Sequence, residues 1–118
     1  MNSLSGKFQI TVGKKKFECH LSMNAFRMLA EKEDLSLEQV QLLLQHRPIS
    51  AVPGILYMGV KNHFYFNSKP LDELPDYEYF TARILDDAEM LPKYIEHITK
   101  VYQGEEEVDE EDQGQGKK

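Results

Sequence analysis

Cys19 and His20 stand side by side, a nucleophile beside a base, and His46, His63 and His97 complete a set of four histidines. Their spacing argues against chemistry. Residues 17–21 alternate apolar and polar as a strand does. Successive strand side chains leave on opposite faces, so the Cys19 thiol and the His20 ring cannot act as a nucleophile and its base. Cys19 is expected to be a buried, inert thiol. No two histidines are spaced as H-x-x-x-H and there is no second cysteine, so zinc is not expected. Asp86-Asp87-Glu89 gathers three carboxylates. It lacks the glycine and ligand rhythm of an EF-hand loop, and reads as a solvated helix start, where the helix dipole favours carboxylates. Gly54 and Gly59 are isolated in a helical stretch and build no phosphate-cradling loop. No catalytic residue, metal or cofactor is assigned, and the chain is not expected to be an enzyme.

Charge narrows the partners. Lys14-Lys15-Lys16 is a basic cluster, but the net charge is −6 and no aromatic-basic platform surrounds it. The connection between the first two helices resembles a helix-turn-helix only in outline, since neither helix offers a basic recognition face. Nucleic acid is therefore not an expected partner. No apolar run approaches the ~20 residues needed to span a bilayer, so no membrane partner is expected and the cytoplasm is the expected location. A lone cysteine excludes an internal disulfide framework.

The charges are unevenly placed. Residues 1–103 carry 12 Lys+Arg against 13 Asp+Glu, and residues 104–118 carry 2 against 7, so five of the six net negative charges fall on the last segment. That segment contains one aliphatic residue, Val108, and no aromatic one. It buries too little to offset its ordering entropy and is expected to be a disordered acidic tail. The domain organisation is one folded unit over 1–103, followed by the tail.

Two strands open the folded unit. Phe8, Ile10 and Val12 alternate with Lys7, Gln9 and Thr11, and after Gly13-Lys14 the alternation resumes through Phe17, Cys19 and Leu21. A Gly-X pair between such runs suits a type II′ hairpin. Two strands are marginal alone and must pack on helices, which gives an α+β fold: an N-terminal β-hairpin on four to five α-helices. Ser22 is placed as the cap of a first helix carrying Phe26, Leu29 and Ala30 and ending near residues 32–34. Ser36, with Gln39 in the reciprocal position, caps a second, striped with Leu37, Val40, Leu43 and Leu44 and closed by His46-Arg47-Pro48. A third is expected from near Pro53 to about Phe64, followed by a loop over 67–70. Asp76 caps a fourth with Tyr77, Phe80 and Ile84, broken at Asp86-Asp87. In the last, Leu91, Tyr94, Ile95, Ile98, Val101 and Tyr102 share one side and Lys93, Glu96, His97 and Lys100 the other.

Two helices carry more apolar surface than one core contact uses. Leu42 lies roughly 140° from Leu37, off the stripe of the second helix. In the third, Ile55, Leu56, Tyr57, Met58, Val60 and Phe64 encircle the axis, leaving Lys61, Asn62 and His63 to meet water. Such a helix is either the centre of the fold or the bearer of a partner-binding face. Met23, Met28, Met58 and Met90 suit an adaptable surface and equally suit core filling. On the second alternative, Met28, Leu42, Tyr57, Met58 and Phe64 are the candidate partner-binding residues, and unsatisfied apolar surface of this kind also implies self-association.

The order of these patterns resembles a known family. A hairpin, then Ser22-Met23-Asn24-Ala25-Phe26-Arg27-Met28-Leu29-Ala30-Glu31, a short Leu-rich helix, and Ile55-Leu56-Tyr57-Met58-Gly59-Val60-Lys61 are similar to the tail assembly chaperones of long-tailed bacteriophages. The likeness spans about residues 7–102 and departs at the aromatic run Phe64-Tyr65-Phe66 and at Pro92. It implies a non-enzymatic role in the cytoplasm of a bacterial host. The partners it implies are the tape measure protein, which such chaperones coat, and the tail tube subunits that displace them. Many members are made in two lengths by ribosomal frameshifting. By that analogy the acidic segment is expected to be an extended linker held off the protein surface by its like charges, with Gly116-Lys117-Lys118 encoded beside a slippery site.

Overall fold

The computed structural model describes residues 7–103. The acidic tail and the frameshift expectation at Gly116-Lys117-Lys118 lie outside the described residues.

Strands β1 (Lys7–Val12) and β2 (Lys15–His20) pair antiparallel, with Phe8 opposite Cys19 and Ile10 opposite Phe17. Only Gly13 and Lys14 separate them. Gly13 takes φ 65° while Lys14 keeps a negative φ, the type II′ pattern. The expected alternation holds: Ile10, Val12 and Cys19 are buried, and Gln9, Thr11, Lys16 and Glu18 face water. Five α-helices follow: α1 (Met23–Glu33), α2 (Leu37–His46), α3 (Pro48–Phe66), α4 (Tyr77–Asp86) and α5 (Leu91–Gln103). A 3-10 turn over Leu71–Glu73, not expected from the sequence, sits between α3 and α4. The architecture is α+β, with the hairpin laid on a helical body.

α3 is the axis. Eleven of its nineteen residues are buried, and β2, α1, α2, α4 and α5 all pack against it. Its all-round apolar character therefore reports a central helix. Two glycines allow the close approaches. A Cβ on Gly59 would overlap the Cys19 thiol, and one on Gly54 would lie 2.9 Å from both Leu29 Cδ1 and the Tyr77 hydroxyl. Among the described residues no helix is long and apolar enough to cross a membrane.

Several local expectations are corrected. α3 begins at Pro48 and ends at Phe66, placing Pro53 inside it. Both prolines can start a helix, and Arg47 alone, with φ −141° and ψ 64°, separates α2 from α3. Pro53 leaves the Ile49 carbonyl without its helical donor, and Ile49 lies on the exposed side of the helix. Ser36 and Gln39 form the expected capping box at 3.0 and 2.8 Å. Ser22 occupies the cap position of α1 without capping it: its hydroxyl accepts from Asn62 instead. Asn62 is 0% exposed and does not meet water. Leu37, expected on the α2 stripe, is exposed, and Val40 and Leu44 carry the packing. His97, expected on the polar side of α5, is half-buried edge-on against Phe8, ring centroids 4.3 Å apart.

Candidate functional site: a groove between α1 and α3

α1 and α3 run antiparallel, since Asn24 meets Asn62 at one end of their contact and Leu29 meets Gly54 towards the other. Between them lies a groove of about 670 Å³. Its floor is thioether: Met28 from α1 and Met58 from α3. Tyr65 and Phe66 close one end with rings that are 54% and 63% exposed. Arg27, Glu31, Lys32 and Lys61 form the rim. The groove thus offers an adaptable apolar floor, two accessible aromatic rings and a charged border.

A hydrogen-bonded chain holds the α1 wall. Arg27 donates to Glu31 at 2.6 Å and, through Nε and a second guanidinium nitrogen, to Asn24 Oδ1 at 3.0 and 2.8 Å. Asn24 donates to Asn62 Oδ1 at 2.8 Å. Asn62 then donates both amide protons, to the His20 carbonyl at 3.0 Å and to Ser22 Oγ at 2.9 Å. A buried amide with both donors and its acceptor engaged avoids the desolvation cost of an orphaned group and fixes one arrangement. It ties β2, the start of α1 and the middle of α3 into one unit directly behind the groove.

Phe66 also borders a second, smaller cleft of about 340 Å³, lined by Lys7, Glu18, His20, His63 and Asn67. The His20 ring packs against Phe66 with centroids 5.5 Å apart. Partial burial lowers its pKa from the usual 6.5, and the positive charges of Lys7 and His63 lower it further. Cys19 is enclosed on the opposite face, its thiol 3.7 Å from the Leu56 carbonyl. Burial, with a smaller contribution from the Glu18 carboxylate, raises its pKa far above the range in which a thiolate forms at neutral pH. The separation read from strand alternation is thus present. Among the described residues no three His, Cys, Asp or Glu side chains gather where they could hold a metal ion.

The five residues singled out from sequence divide among different places. Met28 and Met58 meet in the groove, Met58 almost wholly buried as its base. Tyr57 faces α4, edge-on to Tyr77 at 4.9 Å and to Phe80 at 5.2 Å. Phe64 is buried, with the Lys69 ammonium 5.6 Å over its ring. Leu42 is 53% exposed on α2, outside the groove lining. The two rings most available to a partner, Tyr65 and Phe66, were not singled out. Three consecutive aromatic residues on a helix span 200°, so one buried ring at Phe64 turns its neighbours outward, a signal present in the run itself.

Comparison of the chain with protein-family models, with curated proteins and with solved structures gives no match to any of them.

Proposed function

We propose that this chain is a non-enzymatic client-binding protein whose α1/α3 groove receives the apolar face of a helical segment, and that it serves as a tail assembly chaperone of a long-tailed bacteriophage. The observation carrying the binding reading is the pair of exposed rings, Tyr65 and Phe66, at the end of a methionine-floored groove. Burying one such side chain is worth ~1.5–3 kcal/mol, and methionine adapts to varied side chains along a long client. Helix-in-groove recognition uses anchors at i, i+3, i+4 and i+7, which a groove between two helices can line up. The resemblance in residues 7–102 supports the choice of client: the tape measure protein, held in the host cytoplasm until tube subunits displace the chaperone. Self-association belongs to the same reading, because exposed apolar rings also find copies of the chain when no client is present.

Coexpression with the very long open reading frame beside the gene, followed by affinity capture, tests this. The wild-type chain should retain that product in soluble form, and a Tyr65→Asp, Phe66→Asp double variant should lose it while keeping a wild-type circular dichroism spectrum. Equal recovery by both proteins, or by neither, would remove the chaperone reading and leave a helical adaptor module.

A further inference from the structure

We propose that the acidic segment Glu105 to Asp112 docks on the α1/α3 groove of its own chain and competes there with the client. Charge complementarity is the first argument. Among the rim residues Arg27, Lys32 and Lys61 oppose Glu31 alone, and Glu31 is already paired with Arg27, so the border presents surplus positive charge. The segment supplies seven carboxylates in eight residues, interrupted only by Val108, the one aliphatic side chain available to meet the thioether floor.

The path of α5 is the second argument. The Thr11 amide donates to the Tyr94 hydroxyl at 3.3 Å, and His97 packs on Phe8 one turn later. α5 therefore travels from the turn of the hairpin towards its open end, where Lys7 pairs with His20 and the His20 ring meets Phe66. That is the aromatic end of the groove, and Lys7, His20 and His63, with Glu18 as the one acid, line the cleft between. From Gln103 to Asp112 is nine residues, a reach of up to ~30 Å against a longest body dimension of 40 Å. The Lys7 ammonium in that cleft, with Arg27, Lys32 and Lys61 beyond it on the groove rim, gives the seven carboxylates a line of positive charge to meet.

Docking itself needs no client. Its regulatory consequence rests on the groove being the client site: a groove occupied by the tail for most of the time lowers apparent client affinity by the free fraction. The consequence inverts the sequence expectation of a linker held off the surface, because the rim charges come from separated positions on two helices.

The test uses the full chain with Gln113→Cys carrying a nitroxide, the buried Cys19 leaving the new thiol as the reactive one. In 50 mM salt the amide resonances of Arg27, Lys61, Tyr65 and Phe66 should broaden beyond those of α2 and α4. The broadening should disappear in 0.5 M salt, and in a chain bearing E105Q, E106Q, E107Q, D109N, E110Q, E111Q and D112N. Uniform broadening, insensitivity to neutralisation, or broadening seen only between labelled and unlabelled copies would overturn docking on the same chain. Neutralisation should also tighten binding of a tape measure segment by roughly two- to tenfold, the range for a groove half to nine-tenths occupied. Local broadening without that gain would keep the docking, overturn the competition and remove the groove as client site.

Discussion

Asn24 donates a 2.8 Å hydrogen bond to Asn62 Oδ1, thirty-eight residues away, and Asn62 donates its two amide protons to the His20 carbonyl and the Ser22 hydroxyl. Replacing Asn62 with alanine strands all three partners behind the groove. The expected loss is about 1–3 kcal/mol, the cost of leaving buried polar groups unpaired, read as a lower urea midpoint at unchanged slope. Asn24→Ala should cost less, because only the partly buried end of the chain is cut. Equal midpoints for wild type and Asn62→Ala would show that water replaces the amide.

The Cys19 thiol occupies the space a side chain on Gly59 would need. Gly59→Ala should therefore destabilise by ~1–3 kcal/mol through overpacking. In a Cys19→Ala background the same change should cost less, a favourable coupling in a double-mutant cycle, since the alanine methyl then enters room the sulfur vacated. Additive losses would place the strain elsewhere.

Charged substitutions should separate groove from core. Met58→Asp and Phe64→Asp put a carboxylate in the interior and should abolish cooperative unfolding, because both residues are almost wholly buried. Phe66→Asp and Leu42→Asp should each shift the melting temperature by no more than a few degrees. Of these last two, only Phe66→Asp should weaken client capture. Loss of capture with Leu42→Asp would extend the binding surface onto α2.

The thiol and the neighbouring imidazole give two solution signatures. Native protein at pH 8 should react with a disulfide reagent only as fast as it opens, since burial holds Cys19 protonated. For His20, whose folded pKa is lowered from 6.5, the native state binds fewer protons than the unfolded state once pH falls below that value. Stability from this group is therefore complete above 6.5, declines as pH falls through it, and levels off below the folded pKa. The effect is modest, because the ring is only partly buried. Comparing wild type with His20→Gln at pH 7.5 and 5.5 should show a steeper loss in the wild type, and parallel losses would show that His20 does not carry the slope.

Sequence patterns expose elements more readily than they expose a surface shared between elements. The hairpin was legible because period-two alternation and a Gly-X turn are local facts, and the Ser36 to Gln39 box because its four residues close on themselves. Helix α3 was legible as central from its encircling apolar residues, whereas its start was not, since Pro48 and Pro53 are equally good openings. Ser22 and Asn62 misled for the opposite reason. Each is satisfied by a residue some forty positions away, and neither a cap nor a wet face is the cheapest outcome once that partner is in place. Met28 and Met58 entered the candidate set through side-chain chemistry and the groove joined them. Phe66 did not, because exposure of one ring follows from burial of another.

The hydrogen bond from Thr11 to Tyr94 joins residues 83 positions apart. On a ribosome adding about 5–20 residues per second, the first strand waits roughly 4–17 s before the helix that covers its outer edge exists. Through that interval the hairpin presents an open strand edge to its surroundings, with the Lys7, Gln9 and Thr11 side chains standing in solvent beside it. Lysine on an exposed edge opposes pairing with other chains. The polar side of β1 thus protects the nascent chain for seconds before it decorates the finished one.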